Sequence, residues 1–413
     1  MWLFRSGLVL FAYTGINIYT GIKVLGLLKC LLPSVKAYIF WPFYIIICYS
    51  YIIIFLLRMD RVQPLRQIAV FSLPAIVYFF MGLLFFDLLR LILRFAAKIP
   101  LSPGFPAAGT GIALGLALLA MVYASFHARN IGTAHYSIAL NKAGVSPSGL
   151  SQAGGGNPGT SAGAESRGSP PEAGLRIVLV SDLHIGTTVN RKWVAKIVDA
   201  ANAAKPDLIC LAGDIFDNNI ETIPDLEGIA AELQRFEAAL GVYACQGNHD
   251  VDRLSLRSGG TTNHIQDFLK TVNIAFLLDE VELVAGRFYL AGRRDARPIG
   301  MGSARKSAAE LVIGLDTSKP LIIMDHQPTD FPRLEAAGAD LILSGHTHGG
   351  QFFPGNIATS RIFKEAGAVH YGYWRGQSAQ AVVSSGAGVW GPPVRIFTKS
   401  EVAVLDIILG ADN

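Results

Sequence analysis

The 413-residue chain is short of cysteine: it has four, Cys30, Cys48, Cys210 and Cys245. No two of them stand in a CxxC spacing, which leaves no basis for a zinc ribbon or a thiol redox pair. Two lie in apolar runs and two in strand-like segments, and all four read as reduced core thiols. Acid is nearly missing from the first third. Up to Lys142, twelve Lys and Arg face only Asp60 and Asp87, whereas from Val145 onward 23 basic residues face 29 acidic ones. The net charge of +4 and the isoelectric point near 8.8 therefore describe neither half. The basic residues of the first part sit at the ends of apolar runs and form no patch, so nothing points to nucleic acid.

What the chain has in excess is apolar length. A hydrophobic share of 51% and a mean hydropathy of +0.39 are too high for a purely soluble protein. Four runs reach the ~20 residues that a bilayer requires: Gly7–Leu32, Tyr38–Leu57, Ile68–Leu93 and Ala107–Phe126. The second has no charge at all. A cleaved leader fits poorly, because the first run is too long and more spans follow. Residues 1–130 thus read as an α-helical multi-pass membrane domain of four helices. Within the third run, Asp87 stands three residues before Arg90 and is expected to pair with it. Four spans return the chain to its starting side. There Arg5, Arg58, Arg61, Arg66, Arg129 and Lys142 outnumber Lys29, Lys36, Arg90, Arg94 and Lys98 by six to five, which favours a cytoplasmic position for the remainder.

Residues 144–174 are a Gly/Ser/Pro/Ala stretch that cannot bury a core; they read as a disordered linker and a tether. Beyond it strands and helices alternate, the pattern of an α/β layered domain over 175–413. Strand signals are Arg176–Val180, 207–213, 242–247, 321–326 and 341–346, then Ala275–Leu278, Phe288–Gly292, Ala381–Ser385 and Val402–Ile408. Helical patterns cover Trp193–Ala204 and Leu226–Leu240.

Five of these strands turn abruptly polar at their carboxyl ends, where ligands gather in such sheets. The first ends in Asp182-Leu183-His184. In an extended segment that spacing sends both side chains the same way, half of a metal site. The others end in Gly213-Asp214 with Asp217, in Gly247-Asn248-His249-Asp250, in Asp325-His326, and in Gly345-His346-Thr347-His348. Imidazole, carboxylate and amide donors without thiolate suit Mn, Fe, Zn or Co. Two such ions about 3.5–4 Å apart can share a carboxylate and a hydroxide that attacks phosphorus, while a nearby imidazole protonates the leaving oxygen.

The ordered series DxH, GDxxD, GNHD, a lone His and GHTH resembles the calcineurin-like metallophosphoesterases over residues 175–413. The ending GAGVWGPPVRIFTKSEVAVLDI (386–407) resembles the membrane-associated bacterial branch of that family. The resemblance implies a four-layer α-β-β-α sandwich and a dinuclear site. Asp182, His184 and His348 would bind one metal, and Asn248, His326 and His346 the other. Asp214 would bridge them, His249 would act as general acid, and Asp217 would orient His249. It also implies a membrane-anchored phosphohydrolase acting on a phosphate ester or pyrophosphate. The substrate would be a phosphorylated small molecule, a phosphodiester, or a lipid-linked or nucleotide-sugar compound at the bilayer. The alternative is a non-enzymatic metal-binding membrane sensor or scaffold.

Other residues are left open. Asp250 and Asp325 read as supporting rather than ligating groups. The basic run Arg293, Arg294, Arg297, Arg305 and Lys306 fits either a second phosphate or a solvated loop. The segment Arg361–Arg375 fits core packing, a pocket wall or a membrane surface. His127, His135, His264 and His370 lie outside the motifs and read as non-catalytic.

Overall fold

A computed structural model describes residues 2–56, 63–140, 174–217, 220–251, 264–296 and 305–409. The expected linker 144–174, apart from Gly174, and Arg297 lie outside them, as do Arg58, Arg61 and Lys142. The chain forms two compact units, Met1–Ala128 with Gly391–Val394, and Arg129–Trp390 with Arg395–Asn413.

The first unit contains helices α1 (Trp2–Leu31), α2 (Ala37–Leu56), α3 (Gln63–Leu91) and α4 (Phe105–Ala128). Phe79, Leu83, Ala113 and Ala117 form its buried centre, where alanines on α4 leave room for the larger side chains of α3. Outward-facing residues stay apolar: Phe11, Tyr38, Phe43 and Phe126 are each more than 60% exposed. Among the described residues two helices are long and apolar enough to cross a membrane, Ala69–Ala96 and Phe105–Ala128, while the apolar stretch Ala37–Ser50 is shorter. Two stretches, not the expected four, therefore meet that measure. The expected Asp87–Arg90 pair is also replaced. Asp87 accepts from Lys23 Nζ at 2.7 Å and from Tyr19 Oη at 2.6 Å. An acid held among apolar helices takes the partner that α1 brings across, and this accounts for Lys23 inside an apolar run.

The second unit is built on two six-stranded mixed sheets. The first runs β1 (Ile131–Leu140), β12 (Ser400–Leu409), β2 (Gly174–Val180), β3 (Leu208–Leu211), β4 (Val242–Cys245), β5 (Ile274–Leu277). The second runs β10 (Gly372–Arg375), β11 (Gln380–Val383), β9 (Leu341–Ser344), β8 (Leu321–Met324), β7 (Phe288–Gly292), β6 (Glu280–Val284). Alternation along each strand sorts the side chains. Ile177, Leu179, Cys210 and Cys245 of the first sheet meet Leu290, Ile322, Met324, Leu343 and Val382 of the second in one cluster. The intervening Ile323, Ile342, Ala381 and Val383 face the other way, onto Leu311, Phe331 and Leu334 of a helical layer. On the first sheet, α5 (Arg191–Ala203) buries Trp193, Val194, Ile197, Val198 and Ala201 and packs beside α6 (Leu226–Leu233). Asn190 caps α5 by accepting from the Trp193 amide.

Strands β1, β6 and β10 have no counterpart among the strand signals of the sequence, and α6 is shorter than its apolar pattern. Asn202 stops α6: its side chain donates to the Arg235 carbonyl and accepts from the Glu237 amide, drawing the chain out of the helix.

Strand β1 changes the domain picture. It precedes the Gly/Ser/Pro segment, yet it pairs in parallel with β12, which pairs antiparallel with β2. The unit thus begins at Arg129 rather than residue 175. Leu140 pairs with Leu409 and Gly174 with Ile408, so the ends of segment 141–173 lie two strand spacings apart, roughly 10 Å. Both described ends of the Gly/Ser/Pro segment thus belong to the same sheet. Ile138 and Leu140 are buried members of the central cluster. Each such side chain stabilises the fold by about 1.5–3 kcal/mol. A fragment starting at Gly174 should therefore melt more than ~5 °C below one starting at Arg129. Calorimetry on the two fragments checks this, and equal melting temperatures would contradict a structural role for β1.

Candidate metal centre

The five polar motifs lie where β2, β3, β4, β8 and β9 end. Adjacent loops are stitched together by their backbones. The amides of Asp182, His184 and Ile185 donate to the carbonyls of Gly213, Asp214 and Ile215. Asp250 ties the next loop in, accepting from the amides of Phe216 at 3.0 Å and Gly247 at 2.9 Å. A Cβ at Gly247 would fall on the Asp214 amide, and one at Gly345 on the Asp182 carboxylate, so both close approaches require glycine.

The side chains converge, but not for the reason the spacing suggested. Asp182 and His184 are not extended: their φ angles are +52° and +46°. Asp214, His346 and His348 are also left-handed, at +51°, +72° and +51°. Each such residue costs of order 1–3 kcal/mol. The left-handed turns reverse the chain directly after the strands, which keeps these side chains over the sheet ends.

Three groups of donor atoms result, each spanning no more than 4.8 Å: Asp182, His184 and His348; His184, Asp214 and His249; and Asp214, His326 and His346. Asp214 links them. Its Oδ2 lies 3.2 Å from His326 Nε2 and 3.6 Å from His184 Nε2. Its Oδ1 is held by the His249 amide at 2.8 Å. Around the first group, His348 Nε2 is 3.1 Å from His184 Nε2 and 3.5 Å from Asp182 Oδ1. In the third, His346 Nδ1 is 3.3 Å from His326 Nε2.

Supporting contacts set the orientations. His326 Nδ1 donates to the Ala212 carbonyl at 2.8 Å, which turns Nε2 toward Asp214. Asp182 accepts from Ser181 Oγ at 2.6 Å and from the His346 amide at 3.0 Å. His249 Nδ1 donates to the main-chain carbonyl of Asp217 at 2.7 Å. The Asp217 carboxylate itself stands 3.9 Å from that nitrogen and 3.7 Å from His184 Nδ1. Main chain rather than side chain thus makes the direct contact with His249. Sequence reasoning missed Ser181 and Arg395. The fully buried Arg395 guanidinium donates to the carbonyls of Ser385, Gly388, Gly386 and His348 at 2.6–3.2 Å. It thereby fastens the His348 turn to the loop behind Asp182. No local pattern marks a lone arginine in a loop as buried.

The electrostatics follow from burial and crowding. Burial raises the Asp182 carboxyl above its ordinary range. Burial would raise Asp214 too, but His326, His184 and His249 hold it well below the usual carboxylate range. Burial disfavours charge on His326, yet Asp214 and Asp182 push it up to about 10. Burial, with His184 and Arg395 nearby, drives His348 well below its ordinary value.

The donor set fits divalent cations. It combines four imidazoles, two carboxylates and an amide with no thiolate, the mixture suited to borderline and hard ions. Asn248 is 4% exposed, and its Oδ1 has no hydrogen-bond partner. An unpaired buried acceptor costs roughly 1–3 kcal/mol, a penalty that coordination would remove. Of the supporting residues, Asp250 ties loops together, and Asp325 pairs with Arg293 and Arg305. Within the basic run Arg293 is buried, at 2% exposed, whereas Arg294 and Arg305 are half-buried and Lys306 is exposed.

Residues 175–350 match the family model described as calcineurin-like phosphoesterase. An uncharacterized metallophosphoesterase of Campylobacter jejuni is 32% identical over 56% of this chain and 59% of its own length. A Danio rerio protein described as a transmembrane protein with metallophosphoesterase domain is 30% identical over 55% of this chain and 52% of its own. The chain spans about three-fifths of the length of the first curated relatives it matches. Among solved structures, a 5'-nucleotidase precursor from Thermus thermophilus aligns at 17% identity over 56% of this chain and 55% of that one, with a TM-score of 0.33.

Replacing Asp214 by Asn removes the one carboxylate that faces both donor groups. Asp214→Asn should lower bound metal from two ions toward one or none per chain, read by elemental analysis of protein purified without chelator. Its effect on affinity should exceed the ~100-fold limit typical of groups that merely support a ligand. An unchanged metal content would refute the shared position.

Proposed function

We propose, from the match of residues 175–350 to the calcineurin-like phosphoesterase model, that the chain is a dinuclear metal-dependent phosphohydrolase anchored at a membrane. The observation that carries this reading is the placement of one Asp214 oxygen between two sets of imidazole and carboxylate donors. Asp182, His184 and His348 would hold one ion, Asn248, His326 and His346 the other, with Asp214 available to both. Mn, Fe, Zn or Co would suit these donors. Such ions, when bound, supply Lewis-acid stabilisation of phosphoryl oxygens and an activated water.

The protein's own groups do the rest. The Asp217 carbonyl fixes His249 through Nδ1, which leaves Nε2 to deliver a proton to the leaving oxygen. The His249 side chain is 25% exposed, so a substrate can reach it. The Asp217 carboxylate stands 3.9 Å from His249 Nδ1. The His249 amide meanwhile holds Asp214 Oδ1, coupling the acid to the shared ligand.

Two apolar helices, together with a relative named a transmembrane protein, support the anchoring. The substrate class that suits such a place is a phosphate ester or pyrophosphate on a membrane-proximal compound, lipid-linked or a nucleotide sugar. The slight excess of basic residues on one side favours the cytoplasmic face.

With added Mn, the full chain in detergent should hydrolyse bis-p-nitrophenyl phosphate, and EDTA should abolish the activity. Silence under every divalent metal would favour the scaffold reading. His249→Ala should keep both ions yet slow turnover by about 100-fold or more, most for poor leaving groups. Loss of metal from this variant would make His249 a ligand instead of an acid.

A further inference from the structure

Beside the His346–His348 turn, the second unit leaves a group of apolar side chains in the open. Phe397 is 80% exposed, Ile362 62%, Ile357 57% and Trp390 52%. Single exposed apolar residues are ordinary, but these are joined. The buried Gln351, three residues after His348, holds two loops together. Its side chain donates to the Trp390 carbonyl and accepts from the Trp390 amide, each at 3.0 Å. Its own carbonyl accepts from the Ile396 amide at 3.2 Å and from Thr398 Oγ1 at 2.7 Å. The rings of Phe353 and Phe397 then meet edge to face, with centroids 5.8 Å apart. Phe397 has a φ of +64°, which a bulky residue adopts only under constraint. The backbone is thus held in a costly conformation that leaves the ring outside.

The helix Gly355–Glu365 follows Phe353 and continues this surface. It turns the buried Phe363 inward, with its ring centroid 6.4 Å from that of His346, so the helix is seated on the metal motif. Its other half is open. At about 100° per residue, Lys364, Ile357, Arg361, Glu365, Ala358 and Ile362 fall within one arc of about 160°, and all six are exposed. Residues 351–364 and 386–399 contain no acid. Arg361, Lys364 and Lys399 are exposed, and Glu365 is the one acid on the helix. Aromatic rings beside Lys and Arg are the side chains that settle at a membrane–water boundary, where anionic headgroups supply the opposite charge. The same chain has two helices long and apolar enough to cross a bilayer.

We propose that this rim is an interfacial contact with an anionic lipid bilayer. Phe397, Trp390, Ile357 and Ile362 enter the headgroup boundary, and Arg361, Lys364 and Lys399 meet lipid phosphates. The inference rests on the membrane-anchored reading and adds a contact made by the unit that carries the metal donors. Gln351 and Phe363 tie the rim to the His346–His348 turn, so the contact sets that turn against the headgroup layer.

The test uses the full chain with Cys30→Ser, since Cys48, Cys210 and Cys245 are buried. Single cysteines are placed by Ile362→Cys and Phe397→Cys, with Ile313→Cys as a control at an isoleucine that is 77% exposed outside the rim. Each carries a polarity-sensitive fluorophore, and the protein is reconstituted into phosphatidylcholine vesicles with or without phosphatidylglycerol. With phosphatidylglycerol, the probes at 362 and 397 should shift to the blue. Lipids with a nitroxide near the headgroup should quench them about twofold or more, because an interfacial segment lies roughly 5–10 Å deep. The probe at 313 should do neither. The triple variant Arg361→Gln, Lys364→Gln, Lys399→Gln changes only exposed side chains and should lose most of the quenching. Rim probes that report water, or quenching at all three positions alike, would overturn the contact. Quenching that is equal without phosphatidylglycerol, or unchanged in the triple variant, would overturn the anionic-lipid assignment. Blue-shifted rim probes that no lipid quenches would make a second copy of the chain the occupant and overturn the proposal. Protein that floats with the vesicles while its rim probes stay in water keeps the anchoring and loses the contact; protein that does not float contradicts both.

Discussion

One buried carboxylate sets the terms for the second unit. Asp214 is 2% exposed, and a lone ionised acid there would be expensive. It remains charged because imidazoles from three other loops crowd around it. Those loops come from β2, β4 and β8, so the charge is stable only when three strand ends are in register with β3. The network works in both directions. The same proximity that holds Asp214 ionised pushes His326 up, and a divalent cation entering between them would replace that proton as the compensating charge. The site is thus an electrostatic assembly whose parts cannot be made stable one at a time.

The two-sheet arrangement explains why such an assembly can sit so deep. Packing sheet on sheet gives a dry interior, and the strand ends open at its rim. Left-handed turns at Asp182, His184, Asp214, His346 and His348 hold the donors at that rim. Backbone strain of this kind survives only where surrounding structure over-determines it. Here the loop-to-loop amide bonds, the Asp250 clamp and the Arg395 guanidinium provide that determination.

Much of this is readable in the sequence, for definite reasons. Strands β2, β3, β4, β8 and β9 are buried on both faces, so their apolar runs are continuous and their polar ends abrupt. The candidate donors follow because Asp, Asn and His do not otherwise end buried strands together. What stays hidden depends on distant partners. β1 is an edge strand with a mixed pattern, IGTAHYSIAL, and only β12, at the far end of the chain, gives it a sheet. β6 and β10 are half-exposed edges as well. Arg293 resembles part of a basic surface loop, because nothing nearby in sequence shows that Asp325 and Asp330 will cover it. Lys23 and Asp87 stand 64 positions apart, beyond any local periodicity.

The pairing of β1 with β12 bears on what cutting the chain would reveal. A protease nick in the Gly/Ser/Pro segment leaves one fragment ending in β1 and another containing β12 and β2. Each fragment supplies strands of one sheet, so they stay associated as a split protein through ten residue pairs of hydrogen-bonded register. Separating the sheet unit from α1–α4 therefore requires cleavage before Ile131, where only Arg129 and Asn130 stand between α4 and the sheet. A limited-proteolysis experiment would report on those two residues, and a nicked form would stay together with its backbone already severed.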